Sequence, residues 1–177
     1  MMKKFFAVVT LALSLATVSF AQNRPFDHLY MSMGYSFGGA PHANFTTKDF
    51  AYRSFDYSLG YRFNEHVAVF VPITMDVNMM NMTTTKNFNE TGTLGLGASY
   101  TFNLGRKSFL EPVLSCSSTI YKSDLSYLIP KFEVRWGVKM NRFGPFVGLG
   151  VQYLHPYGNS TVPNMTMMYA KLGIRLF

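Results

Sequence analysis

The chain has 177 residues, 48% of them hydrophobic and 16% aromatic, with 16 Lys and Arg against 9 Asp and Glu. The net charge of +7 comes from scattered residues rather than a run, which excludes a clustered nucleic-acid patch. The lone Cys116 excludes an internal disulfide scaffold, and after the N-terminus no stretch nears the ~18 unbroken apolar residues of a membrane-spanning helix.

Met1-Met2-Lys3-Lys4 is a short positive region, Phe5 to Leu15 an apolar core, and Ser19-Phe20-Ala21 a small-large-small step. This order predicts a secretory signal peptide over 1–21, cleaved after Ala21. The apolar core is too short to serve comfortably as a spanning anchor, and no cysteine follows to take a lipid. Losing Lys3 and Lys4 lowers the charge to about +5 and leaves one domain over 22–177.

Alternation dominates the rest. The first strand is expected over His28–Phe37, with Leu29, Met31, Met33, Tyr35 and Phe37 on one face. Gly38–Lys48 reads as a loop. Ser54–Phe63 and Val67–Met75 form a hairpin around Asn64–His66: Phe55, Tyr57, Leu59, Tyr61 and Phe63 share one parity, as do Val67, Val69, Val71, Ile73 and Met75. After a polar, Met-rich loop, Asp76–Asn89, comes Thr91–Phe102, with Leu94, Leu96, Ala98, Tyr100 and Phe102 together. The turn Asn103–Ser108 leads to Phe109–Ser118, the least regular strand. Thr119–Leu128 is a further loop. Lys131–Met140 alternates most clearly, with Phe132, Val134, Trp136, Val138 and Met140 against Lys131, Glu133, Arg135, Gly137 and Lys139. Asn141–Gly144 is a tight turn before Pro145–Tyr153, His155–Asn164 a loop, and the final strand sets Met168, Ala170, Leu172, Ile174 and Leu176 opposite Tyr169, Lys171, Gly173 and Arg175.

About eight strands of membrane-crossing length, joined by alternating short and long connections, predict an all-β, closed, antiparallel up-and-down transmembrane barrel. Its non-apolar face is mostly Gly, Ser and Thr with single charges, which suits a lumen better than a solvated surface. Asp56, Arg62, Asp76, Glu111, Lys131, Glu133, Arg135, Lys139, Lys171 and Arg175 all fall on that parity. Both signs occur, so they are expected to pair inside, because a lone buried charge is costly. On the other face Phe37 and Phe50 lie toward the long loops and Phe63 and Phe102 beside short turns, as in interfacial girdles. Pro72 and Pro112 fall inside strands, and Pro72 is expected to mark a bulge.

From Leu29 to Phe177 the chain resembles the small eight-stranded outer-membrane barrels of Gram-negative bacteria, of the OmpA transmembrane-domain and OmpX type. The most specific feature is the terminal strand ending in Phe177. In that family a terminal aromatic after alternating apolar residues is read by the barrel-assembly machinery. Here the pattern departs, because Gly173 and Arg175 share the parity of Phe177 while Leu172, Ile174 and Leu176 carry the apolar set. The resemblance implies outer-membrane location, lipid and lipopolysaccharide around the wall, the assembly machinery as a partner during insertion, and surface ligands reached through the long loops.

No catalytic pattern emerges. Small barrels that process lipid A need His, Ser and an acid together, whereas His28, His42, His66 and His155 fall in loops or at strand ends. Met75, Met79, Met80 and Met82 would suit a soft metal, but no Cys or His joins them, and apolar filling is the simpler reading. The Asn triplets at 44, 81, 89, 159 and 164 read as loop composition, and Gly95 and Gly97 have no helix behind them to make a nucleotide loop. The expected role is therefore structural or surface-interacting, without enzyme activity, metal or cofactor. A narrow solute channel and an exported soluble ligand-binding barrel are the alternatives.

Overall fold

The computed structural model describes residues 28–39, 50–80, 88–120, 126–140, 142–158 and 164–176, with the side chains of 50–52, 76–80 and 88–91 excepted. The expected signal peptide, most of the four long connections, and Phe177 lie outside these residues. The strands are β1 (Leu29–Gly39), β2 (Phe50–Arg62), β3 (Val67–Met80), β4 (Phe88–Tyr100), β5 (Phe102–Leu104), β6 (Ser108–Thr119), β7 (Tyr127–Val138), β8 (Phe143–Pro156) and β9 (Met165–Leu176).

Short β5 continues β4, since Ser99↔Val113 and Phe102↔Leu110 keep one register against β6. Counting the two as one gives eight strands. Each pairs antiparallel with its sequence neighbour, and β1 pairs with β9 to close the ring. Closure removes the exposed edges that an open sheet would have to protect.

Several strands outrun their sequence-based bounds. Met79↔Phe88 continues the β3–β4 ladder into the stretch expected to be a loop, and β7 begins at Tyr127 rather than Lys131. Alternation reports where side chains meet apolar surroundings. Ladder hydrogen bonds need only backbone, so pairing persists past the end of the pattern. Conversely the second short turn tightens to 105–107 around Gly105, whose φ of 77° suits glycine.

The expected bulge at Pro72 is absent. Phe70↔Gly97 and Ile73↔Leu94 hold the same register on either side of it, and only the rungs at Val71 and Pro72 are missing. Those two rungs both need the N–H that proline lacks. The same gap recurs at Pro112, where it separates β4 from β5, and at Pro130 on the side facing β8. Each proline keeps its ladder on the opposite side, through Ser58↔Pro72, Pro112↔Val134 and Cys116↔Pro130. A closed barrel thus absorbs a proline by losing two rungs on one flank, without a shift of register.

The wall faces outward with its apolar parity. Leu96 is 74% exposed, Trp136 50% and Phe55 49%, whereas Arg135 is 2% exposed. At the short-turn end the outward rings form a belt. Tyr61 stacks on His28 at 5.2 Å and meets Phe63 edge-on, and Tyr100 packs against Phe102 at 4.7 Å and stacks on His66. Toward the long connections, Tyr35 lies between Phe37 and Phe55, and Phe37 is exposed. The side chain of Phe50 lies outside the described residues.

Candidate functional site

The chemistry-bearing residues converge in the lumen. The inward face was expected to be small and polar, but it also carries large rings, and this is a correction. Tyr30, Phe70, Phe109, Phe146, Tyr127 and Tyr169 are all buried. Glycines on adjacent strands make the room. Phe70 faces Gly60 on β2 and Gly97 on β4; Phe146 faces Gly137 on β7 and Gly173 on β9; Tyr169 faces Gly38 on β1 and Gly150 on β8. A Cβ on Gly97 would lie 2.5 Å from the Phe70 ring, and one on Gly173 would lie 2.5 Å from that of Phe146. The glycines seen as small spacers are sockets for neighbouring rings. The signal was present in the sequence as aromatics on the glycine-rich parity, but the partner strand's register was needed to read it.

Between the rings runs a chain of alternating charge. Lys131 Nζ lies 4.0 Å from Asp56 Oδ1, and Asp56 Oδ2 lies 3.2 Å from Lys171 Nζ. Lys171 Nζ reaches Glu133 Oε2 at 3.1 Å, and Glu133 Oε1 takes Arg135 Nε at 2.5 Å. Arg135 Nη1 lies 3.6 Å from Glu111 Oε2, and Glu111 Oε1 accepts Arg175 Nη1 at 2.8 Å. Glu111 and Arg135 are direct cross-strand partners, so register alone sets that contact. Opposite Glu133 and Arg135 on β8 stand Gly150 and Gly148, which leave space for the long side chains.

Neutral groups complete the coordination. Tyr30 OH donates to Glu111 at 3.3 Å and accepts from Arg135 Nη1 at 2.9 Å. Tyr169 OH donates to Glu133 at 2.9 Å, Ser36 Oγ donates to Asp56, and Arg175 Nη1 donates to Thr101 Oγ1 at 2.8 Å. The Arg135 guanidinium lies 4.8 Å from the Phe146 ring centroid, and that of Arg175 lies 5.2 Å from Tyr30. Buried ion pairs persist best when their remaining donors and acceptors are met, and these neighbours meet several of them, while Glu111 Oε2 accepts no hydrogen bond and faces Arg135 Nη1 across 3.6 Å.

Eight of the ten charges expected inside are buried there, seven of them in this chain and Arg62 beyond its end, donating to Leu176 O at 2.8 Å. Lys139 is not part of the lumen chain. It sits at the short-turn rim with Nζ donating to Asn103 Oδ1 at 2.7 Å, because β7 ends at Val138 and parity loses its meaning there. Asp76 pairs through its backbone with Ser54 and Thr91, and its side chain lies outside the described residues.

Among the described residues the lumen is closely packed. Within the ring of Asp56, Phe70, Lys131, Glu133, Tyr169 and Lys171 lies a cavity of about 20 Å³, room for about one water molecule. Toward the long connections Tyr127, Ile129, Leu154, Met167 and Tyr169 pack into an apolar cluster. The histidines lie elsewhere. His28 Nδ1 is 2.9 Å from Arg62 O, His66 Nδ1 is 2.7 Å from Thr101 O, and His155 Nδ1 is 3.0 Å from Asn164 Oδ1. His42, Met82 and the side chains of Met79 and Met80 lie outside the described residues.

No family model matches the chain. No curated protein matches it significantly. Among solved structures it is similar to the crystal structure of neisserial surface protein A (NspA), with a TM-score of 0.51 and 14% identity over 84% of this chain and 95% of that one. De novo designed TMB2.3, seen by solution NMR, is more distant, with a TM-score of 0.44 and 10% identity over 82% of this chain and 93% of that one. At such identity the likeness to NspA carries the fold alone: this chain is a closed, eight-stranded, antiparallel up-and-down barrel.

Proposed function

We propose that the protein is an integral outer-membrane barrel with a structural or surface-interaction role carried by its long loops, and no catalytic activity. The observation that supports this most is the inversion of the molecule. Among the described residues 27 large hydrophobic side chains are exposed, while the ion pairs are buried. A soluble monomer seldom exposes a contiguous apolar patch above several hundred Å², and here the apolar band rings the wall. Strands of 11 to 14 residues meet or exceed the ~9–11 needed to cross a bilayer at a tilt. The fold shared with a neisserial surface protein is in keeping with an outer-membrane place, and export would then run through the signal peptide expected over 1–21 and insertion through the assembly machinery. Lipid and lipopolysaccharide would then surround the wall, and binding would lie with the loops, as it commonly does on rigid scaffolds.

The experiment is gel mobility of protein purified in mild detergent, unheated against boiled. A closed barrel in its membrane-competent state shifts on boiling. Identical mobility, together with release into the aqueous fraction without detergent, would instead support the exported soluble reading. The buried ion pairs and rings that cross the lumen speak against the channel alternative. Steady unit conductance in planar bilayers would restore it.

A further inference from the structure

The charges not expected in the lumen, together with Lys139, are unevenly divided along the sequence. In and beside the long connections four bases (Lys48, Arg53, Lys86, Lys122) are set against three acids (Asp49, Glu90, Asp124). In the short turns, Arg106, Lys107, Lys139 and Arg142 face a single acid, Glu65. The four bases belong to two neighbouring turns, because β6 pairs with β7. The turns are also tied together: Lys139 N donates to Lys107 O at 2.7 Å. Arg106, Lys107 and Arg142 are exposed. Burial, then the guanidinium of Arg175, hold the Lys139 ammonium below the usual lysine range, and Glu65 offsets only part of this.

Depth is the second observation. Leu104, Met140 and Phe143 are exposed on the wall, and each base lies within one to three residues of one of them. At about 3.3 Å of rise per residue the cations stand one headgroup layer beyond the last lipid-facing side chains. The exposed rings of Phe102 and Phe143 stand beside the same turns.

We propose that this two-turn rim is a docking surface for anionic phospholipid headgroups, holding the phosphodiester of the leaflet on the short-turn side. The proposal rests on the membrane reading above and adds a preference for lipid charge at one end of the barrel. The two arginines can take phosphate oxygens in a bidentate fork, while the lysines act as point charges. The height of the cations beside the aromatic belt favours a lipid over a soluble acidic partner, which would have no need of that level.

The chain supplies its own probe. Trp136 is its only tryptophan, half exposed on the wall three residues before Lys139. The barrel is folded into phosphatidylcholine vesicles containing phosphatidylglycerol, with bromine on the acyl chains of one lipid or the other, and Trp136 fluorescence is read. The expected result is stronger quenching by the brominated anionic lipid, equivalent to a preference of at least about fivefold, the effect of one basic residue near a charged surface. The preference should vanish in about 1 M salt, where screening acts within ~3 Å. It should also vanish when Arg106→Gln, Lys107→Gln, Lys139→Gln and Arg142→Gln are combined, and persist in Arg53→Gln. Equal quenching by the two lipids, with the boiling shift intact, overturns the proposal and leaves the membrane reading standing. Absence of quenching by either lipid, with no boiling shift, overturns the membrane reading itself. Should the fourfold variant fail to fold, the salt response of the unmodified protein decides.

Discussion

The two halves of the lumen are closed by different means. Toward the long connections the plug is carbon: Tyr127, Ile129, Leu154 and Met167 pack on one another and on the ring of Tyr169. From there to the short turns a single ionic chain runs from Lys131 to Arg175, with aromatic rings set along it and a smaller apolar cluster of Tyr30, Ala68, Phe70 and Val113 beside it. The apolar plug gains from each contact separately, so its parts weaken by degrees. The ionic chain gains only when complete, because each interior member compensates two neighbours in a space that water barely enters. The difference predicts where the barrel is brittle.

The largest effect is therefore expected for Glu133→Ala. Glu133 holds both Lys171 and Arg135 and accepts from Tyr169, so its loss leaves Lys171 with Asp56 alone, leaves Arg135 with Glu111 alone, and cuts the chain in two. Breaking a buried pair from one side costs about 3–5 kcal/mol, and this should appear as a lower urea midpoint for unfolding from lipid vesicles. Glu133→Gln keeps the shape but not the charge. It should recover only part of the loss, whereas full recovery would mean that packing rather than charge holds this segment.

In the apolar half, Met167→Ala should cost about 2–5 kcal/mol, set by the size of the cavity left. Combining it with Leu154→Ala should give a graded further loss, with coupling of about 0.5–3 kcal/mol because the two are in one cluster. The contrast between the halves fails if Met167→Ala exceeds Glu133→Ala, or if Met167→Ala abolishes the boiling shift while Glu133→Ala leaves it untouched.

Outside, the wall offers a control for both halves. Leu96, the most exposed of the large hydrophobics, touches neither filling. Leu96→Arg should cost about 2–4 kcal/mol if it stands at mid-bilayer depth, and Leu96→Ala far less. A soluble barrel would tolerate the arginine, so this pair of variants tests the direction of the molecule independently of the lumen.

How much of this was legible follows from what alternation encodes. Period two assigns a face to every residue, and that was enough to send Asp56, Glu111, Lys131, Glu133, Arg135, Lys171 and Arg175 inward together. Which acid meets which base depends on register between strands distant in sequence. Glu111 and Arg135 are direct partners only because Ser108 aligns with Val138. Parity also failed at its limits, as at Lys139, one residue past the last rung of β7. The aromatic sockets were hidden for the same reason: Gly60 and Gly97 are unremarkable alone, and acquire meaning once Phe70 is known to lie between them. Prolines misled in the opposite direction, since a sheet can give up two rungs without adding a residue.

The smallest effect we expect tests those sockets. Gly173 faces Phe146, whose ring approaches within 2.5 Å of where a Cβ would stand, and the backbone carbonyl of Met33 is equally close. Gly173→Ala should therefore cost about 1–3 kcal/mol through overpacking, less than removing a charge because the ring can shift. Phe146→Leu relieves the clash but gives up the contact with the Arg135 guanidinium. The double variant Gly173→Ala with Phe146→Leu should then be more stable than the sum of the single losses allows. A strictly additive result would mean that the Met33 backbone, and not the ring, sets the cost. The aromatic–glycine pairing would then be a by-product of a close-packed sheet rather than the device that seats the lumen's rings beside its charges.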